Sequence, residues 1–99
     1  MIDAEAPNMP DPVVAHLLRL AHDAAQRGDL TVAEQICTSV VAIDPRQTAA
    51  HLFLVTRALD AGDPQRACEL SRQALEHSSA AQLHFLHGHA LFVRGRMQE

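Results

Sequence analysis

Ala24-Ala25-Gln26-Arg27-Gly28-Asp29-Leu30 and Ala58-Leu59-Asp60-Ala61-Gly62-Asp63-Pro64 decide how this chain is read. The two stretches lie 34 residues apart, and each sets a Gly-Asp pair at the end of a helical pattern. Glycine tolerates the left-handed backbone that closes a helix, and aspartate accepts hydrogen bonds from the free amides that open the next one. Outward from the two pairs, small and apolar residues recur at the same distance. Leu17 maps to His51, Leu20 to Leu54, Ala24 to Ala58, Ala33 to Ala67 and Cys37 to Ser71. A period of that length marks stacked helix-turn-helix units, none of which buries its apolar side alone.

The spacing predicts five helices. Asp11-Pro12 is a start signal, and Val13, Leu17, Leu20, Ala21 and Ala24 then follow helical spacing to about Arg27. Asp29 caps a second helix, about Leu30 to Ile43, whose apolar side is Ala33, Ile36, Cys37, Val40 and Ile43. Asp44-Pro45 breaks it. A third helix spans about Thr48 to Ala61 with Leu54, Val55 and Ala58 inward, and Gly62 stops it. Asp63-Pro64 opens the fourth, to about His77, with Ala67, Leu70, Ala74 and Leu75 inward. Ser79 and Gln82 match a capping box for a fifth helix, about Ala80 to Arg94, which Gly95 is expected to end. Short links between helices of this length make antiparallel neighbours.

Ninety-nine residues make at most one domain. Residues 1–12, acidic and proline-bearing, read as a flexible leader, and 13–99 as the helical domain. The aromatics are Phe53, Phe85 and Phe92 alone, so the core is built from Leu, Val, Ile and Ala. The net charge is −4 and every basic residue is arginine. Dispersed arginines on an acidic chain suit neither nucleic acid nor an anionic membrane, both of which reward clustered positive charge. There is no run long enough to span a bilayer and no basic start followed by an apolar stretch, which points to a cytoplasmic chain. Cys37 and Cys68 read as buried free thiols.

These residues resemble the tetratricopeptide repeat family. The first unit, about 14–47, carries Leu17-x-x-Leu20-Ala21-x-x-Ala24, then Ala33-x-x-x-Cys37 and a closing Pro45. The second, about 48–80, carries His51-x-x-Leu54-Val55-x-x-Ala58 and Ala67-x-x-x-Ser71, with Ser79 in place of the closing proline. A partial third, 81–99, reads His84-x-x-His87-Gly88-x-x-Leu91 when Gly95 is taken as its turn, whereas a strict 34-residue register would put Phe85 and Phe92 at the large positions and misplace both glycines. The family's bulky aromatics are missing from the first two units. The resemblance implies an all-α fold in which antiparallel pairs stack as an α-solenoid of about five helices. Glu99 falls where the core of a sixth helix would begin, so a longer polypeptide is expected, the alternative being a fifth helix that serves as a terminal cap.

What the resemblance implies for function is a non-catalytic module that binds an apolar or amphipathic partner segment in a concave groove. By analogy the groove is lined by Leu18, Leu52 and Phe85, then His22, Thr56 and His89, then Ala25, Leu59 and Phe92. The family's clamp for C-terminal carboxylates is not expected, because Leu18 and His22 stand at its positions. The alternative function is an N-terminal accessory or dimerisation segment of a larger bacterial enzyme, such as a transferase or hydroxylase. An uncapped fifth helix is also expected to expose an apolar patch and to self-associate.

No cofactor or metal is expected. His84 and His87 share a helix face, but no cysteine or carboxylate stands near them at ligand spacing. No enzymatic role is expected for this segment either. Ser39, Ser71, Ser78 and Ser79 lack a glycine-flanked elbow. Asp23, Asp29, Asp44, Asp60 and Asp63 fall mainly at helix ends, where carboxylates cap amides or favour the helix dipole.

Overall fold

A computed structural model describes residues 11–97 as five α-helices with no strand among them. They are α1 (Pro12–Gln26), α2 (Leu30–Ile43), α3 (Thr48–Asp60), α4 (Pro64–Leu75) and α5 (Ala81–Met97). Of the leader expected over residues 1–12, residues 1–10 lie outside the described residues, as does the tail Gln98-Glu99. Asp11 and Pro12 belong to the start of α1 instead. Asp11 Oδ1 accepts from the Val13 amide at 2.8 Å, and Pro12 takes the first helical position, where a missing N–H costs nothing.

The two Gly-Asp turns are the same structure. Gly28 and Gly62 hold φ of 83° and 77°. Asp29 N–H donates back to Ala24 C=O at 2.8 Å, and Asp63 N–H to Ala58 C=O at 2.9 Å. Gly28 N–H reaches Ala25 C=O and Gly62 N–H reaches Leu59 C=O, both at 3.0 Å. This double closure satisfies carbonyls that a helix end leaves free, and it needs a left-handed residue at one position only. The links are three residues long, so α1 folds back on α2 and α3 on α4. Farther along, α2 packs on α3, α4 on α5, and α5 reaches back to α3.

Other helix ends depart from expectation. Asp63 accepts from the Arg66 amide at 3.1 Å, as a cap should. Asp29 stands at the equivalent place but makes no such bond, and pairs with Arg27 Nε at 3.5 Å. The Ser79–Gln82 box does not form. Ala80 C=O accepts the first amides of α5, from Leu83 and His84, while Ser78 Oγ accepts from the Ala80 amide at 3.3 Å. Ser78 Oγ also meets Thr48 Oγ1 at 2.9 Å and so ties this turn to the start of α3. Gly95 does not stop α5, which continues to Met97 with Gly95 outside the left-handed region. Glycine permits a left-handed cap without imposing one.

Two clusters form the core. Val14, Ala21, Cys37, Val40, Ala50 and Leu54 join α1, α2 and α3. Val55, Ala58, Ala67, Cys68 and Ala90 join α3, α4 and α5. Of fifteen buried apolar residues among those described, eight are alanine, so helices approach closely but bury little area per residue. The paired positions Ala24/Ala58, Ala33/Ala67 and Cys37/Ser71 are all buried. Three expected core residues are not: Val13 is 58%, Leu20 41% and Ile43 54% exposed. Leu54, the counterpart of Leu20, is 3% exposed, because α3 is covered by α2, α4 and α5 whereas α1 packs chiefly on α2.

The inward side of α5 is Leu83, Leu86, His87 and Ala90. These repeat His51, Leu54, Val55 and Ala58 at a distance of 32 residues. The expected set His84, His87, Gly88, Leu91 is therefore displaced by one residue: His84, Gly88 and Leu91 are exposed. Gly95 lies within α5 and forms no turn, so the register it implied runs one residue late.

Candidate functional site

Among the described residues a hollow of about 180 Å³ lies between α1, α2 and α3. Leu18, Ala21, His22 and Ala25 line it from α1, Cys37 from α2, and Ala49 and Phe53 from α3. The α1 residues are three or four apart, which puts them on one helix face. The walls are apolar apart from the His22 imidazole, which is exposed and lies 3.4 Å from the Gln26 amide nitrogen. Pockets for small organic ligands run to about 300 Å³ and above, so this one has room for one or two side chains of a partner. Leu18 and His22 also border a wider, open hollow of about 420 Å³ on the outer flank of α1, with His16, Arg19, Leu20 and Asp23.

The nine residues expected to line a groove fall into three groups. Leu18, His22 and Ala25 meet in the small hollow. Leu52 and Leu59 are half-buried and Thr56 is exposed, with Leu59 packed against the Val55–Ala90 cluster. Phe85, His89 and Phe92 stand on the exposed side of α5, away from that hollow. Phe85 and His89 stack with ring centroids 6.4 Å apart, and the Arg96 guanidinium lies 5.7 Å from the centre of Phe92. Ala49 and Phe53 were missed. Phe53 is the one aromatic in the first two units, and that scarcity was the available signal.

Cys37 sits at the floor of the hollow, 3% exposed and free. Burial, with a smaller push from the Glu34 carboxylate, raises its thiol to about 11. It stays protonated near neutrality and is a poor nucleophile there. Cys68, also free and buried, belongs to the second cluster.

Three sets of polar contacts tie neighbouring helices together. Glu34 on α2 reaches Arg57 on α3 at 3.8 Å and Arg66 on α4 at 3.7 Å. His51, 8% exposed, lies with Nε2 2.6 Å from the Pro45 carbonyl oxygen. A carbonyl oxygen only accepts, so His51 carries a proton on Nε2 and fixes the α2–α3 turn. Ser71 Oγ lies 2.7 Å from His87 Nδ1 and 2.8 Å from the Ala67 carbonyl oxygen. A serine beside a histidine is the start of a nucleophile–base pair. Here Ser71 is 0% exposed, so no substrate reaches it, and the pair joins α4 to α5.

Among the described residues no three His, Cys, Asp or Glu side chains gather where they could hold a metal ion. Among the same residues no helix is long and apolar enough to cross a membrane. Compared with models of known protein families the chain matches none, and no curated protein matches it either.

Proposed function

We propose that this chain is a non-catalytic protein-interaction module of tetratricopeptide-like helix pairs, and that it holds an apolar or amphipathic segment of a partner protein. The hollow between α1 and α3 carries this reading. Its walls are apolar, and its volume suits inserted side chains better than a whole small molecule. The matching turns at Gly28 and Gly62 support the repeat, because they set two helix pairs in the same local geometry. Apolar burial supplies the affinity, and the exposed His22 at the rim supplies a hydrogen bond to the partner's backbone or side chain.

The test is selection from a random peptide library displayed on phage, followed by NMR titration of a selected peptide. Enriched peptides share one or two large apolar residues, and their signals map to Leu18, His22, Ala25 and Phe53. Ala25→Glu, at a half-buried rim position, lowers affinity at least about tenfold while helicity stays near wild type. Failure to enrich any peptide, or shifts confined to other helices, would refute the reading.

A further inference from the structure

The stretch Phe85-Leu86-His87-Gly88-His89 is followed seven residues later by Phe92-Val93-Arg94-Gly95-Arg96, a repeat within α5 that the 34-residue period does not contain. In both copies the second and third residues are part-buried in the chain's own fold, while the first, fourth and fifth are exposed. In both copies the fifth side chain lies over the aromatic ring of the first. Phe85 is 72% and Phe92 61% exposed. A Cβ added at Gly88 or Gly95 would meet nothing within 4 Å, so the packing of this chain does not require glycine at either place. Bulky knobs and open steps repeating every seven residues are the pattern by which one helix seats on another.

We propose that the occupant of this face is a second copy of the same chain, with the two α5 helices antiparallel about a two-fold axis. Knobs and steps share one stripe, and a self-complementary patch is what a two-fold interface requires. The register follows from spacing. Ala90 is five positions from both Phe85 and Gly95, and two positions from both Gly88 and Phe92. With the axis at the level of Ala90, each Phe85 falls on Gly95 of the second copy and each Phe92 on its Gly88.

Charge selects the antiparallel direction. α5 carries Arg94 and Arg96 near its C-terminus and no carboxylate. Parallel helices would crowd the arginines of both copies together. Antiparallel helices keep the two pairs apart, setting Arg94 and Arg96 of each copy at the level of Leu86 and His84 of the other. The area is enough for a weak dimer. The exposed parts of two phenylalanines amount to roughly 250 Å² per copy, and the flanking glycines, His89, Leu91 and Arg96 add about as much again. The total, about 1,000 Å², stands at the lower limit for specific association, the size range of weak and transient complexes.

This inference does not rest on the α1–α3 hollow, and its test leaves that hollow untouched. Sedimentation equilibrium of the whole chain from about 5 μM to 1 mM reads the monomer–dimer equilibrium directly. Gly88→Leu with Gly95→Leu fills both steps and weakens the dimer at least about tenfold, while the melting temperature of the dilute monomer rises because leucine favours helix over glycine. Phe85→Ser with Phe92→Ser, at two exposed sites, abolishes the dimer. For register, a Phe85→Cys chain mixed with a Gly95→Cys chain forms the mixed disulfide in preference to either homodimer, the native thiols being buried. A monomer at every concentration would overturn the proposal. So would a dimer that the leucine pair leaves undiminished, or preferred cross-linking of Phe85→Cys to itself.

Discussion

The same substitution has opposite consequences at two kinds of glycine in this chain. Gly28 and Gly62 sit at φ of 83° and 77°, where a Cβ crowds the following carbonyl. Gly28→Ala and Gly62→Ala are each expected to cost about 1–2 kcal/mol in denaturant melts. Gly88 and Gly95 are helical with open space at the Cβ position, so alanine at either is expected to stabilise the monomer by up to about 1 kcal/mol. Cys37 gives a pH signature. Its thiol is raised to about 11 in the fold, so the stability it contributes is complete below its unfolded value and is lost as pH rises through the folded one. Base-induced destabilisation between about pH 9 and 11 should therefore flatten in Cys37→Ala, measured by urea melts across that range. Asp44 acts in the other direction. The Gln47 side chain and the Arg46 amide lower its carboxyl, so its contribution is present above the unfolded carboxylate range and fades as acid protonates it.

At the scale of elements, small polar ties supplement an alanine-rich core. The Ser71–His87 hydrogen bond crosses from α4 to α5 at a buried position. A double-mutant cycle on Ser71→Ala and His87→Ala should return a coupling of about 1 kcal/mol, and additive effects would show that the pair contributes nothing. This tie was invisible in the sequence, because a serine and a histidine sixteen residues apart carry no periodic signal. The Glu34 bridge to Arg57 and Arg66 is partly exposed, with both distances near the limit of an ion pair. Glu34→Gln is accordingly expected to cost less than about 1 kcal/mol. The capping pattern was legible at Asp11 and Asp63 and misleading at Asp29 and Ser79. The Asp29 carboxylate pairs with Arg27 instead of accepting an α2 amide, and beside Ser79 it is the Ser78 hydroxyl that accepts, from the Ala80 amide.

Across the whole molecule, each helix relies on its neighbours in chain order, and α3 has the most of them. α1 packs chiefly on α2, with Val13 and Leu20 left in solvent. Local stability in such an array follows the number of neighbours. Native-state hydrogen exchange should therefore find the slowest amides in α3 and the fastest helical amides in α1, and uniform protection would contradict that ordering. The same end effect decides the candidate site. The hollow exists where α1, α2 and α3 meet, and its lining includes Cys37, Ala49 and Phe53, which no face of α1 could announce.

Local chemistry was enough to place the turns at Gly28 and Gly62, the five helices and six of the buried alanines, though not Ala50 or Ala90, because positive φ, capping and helical periodicity are properties of a few adjacent residues. Only packing decided that Leu20 is exposed while Leu54 is buried, and that Leu83 rather than His84 turns inward. Packing also decided that Gly95 continues a helix and that Phe85 and Phe92 face solvent. Those outcomes depend on which neighbours cover a helix face, and a one-dimensional pattern shows that a face is apolar without showing what lies against it.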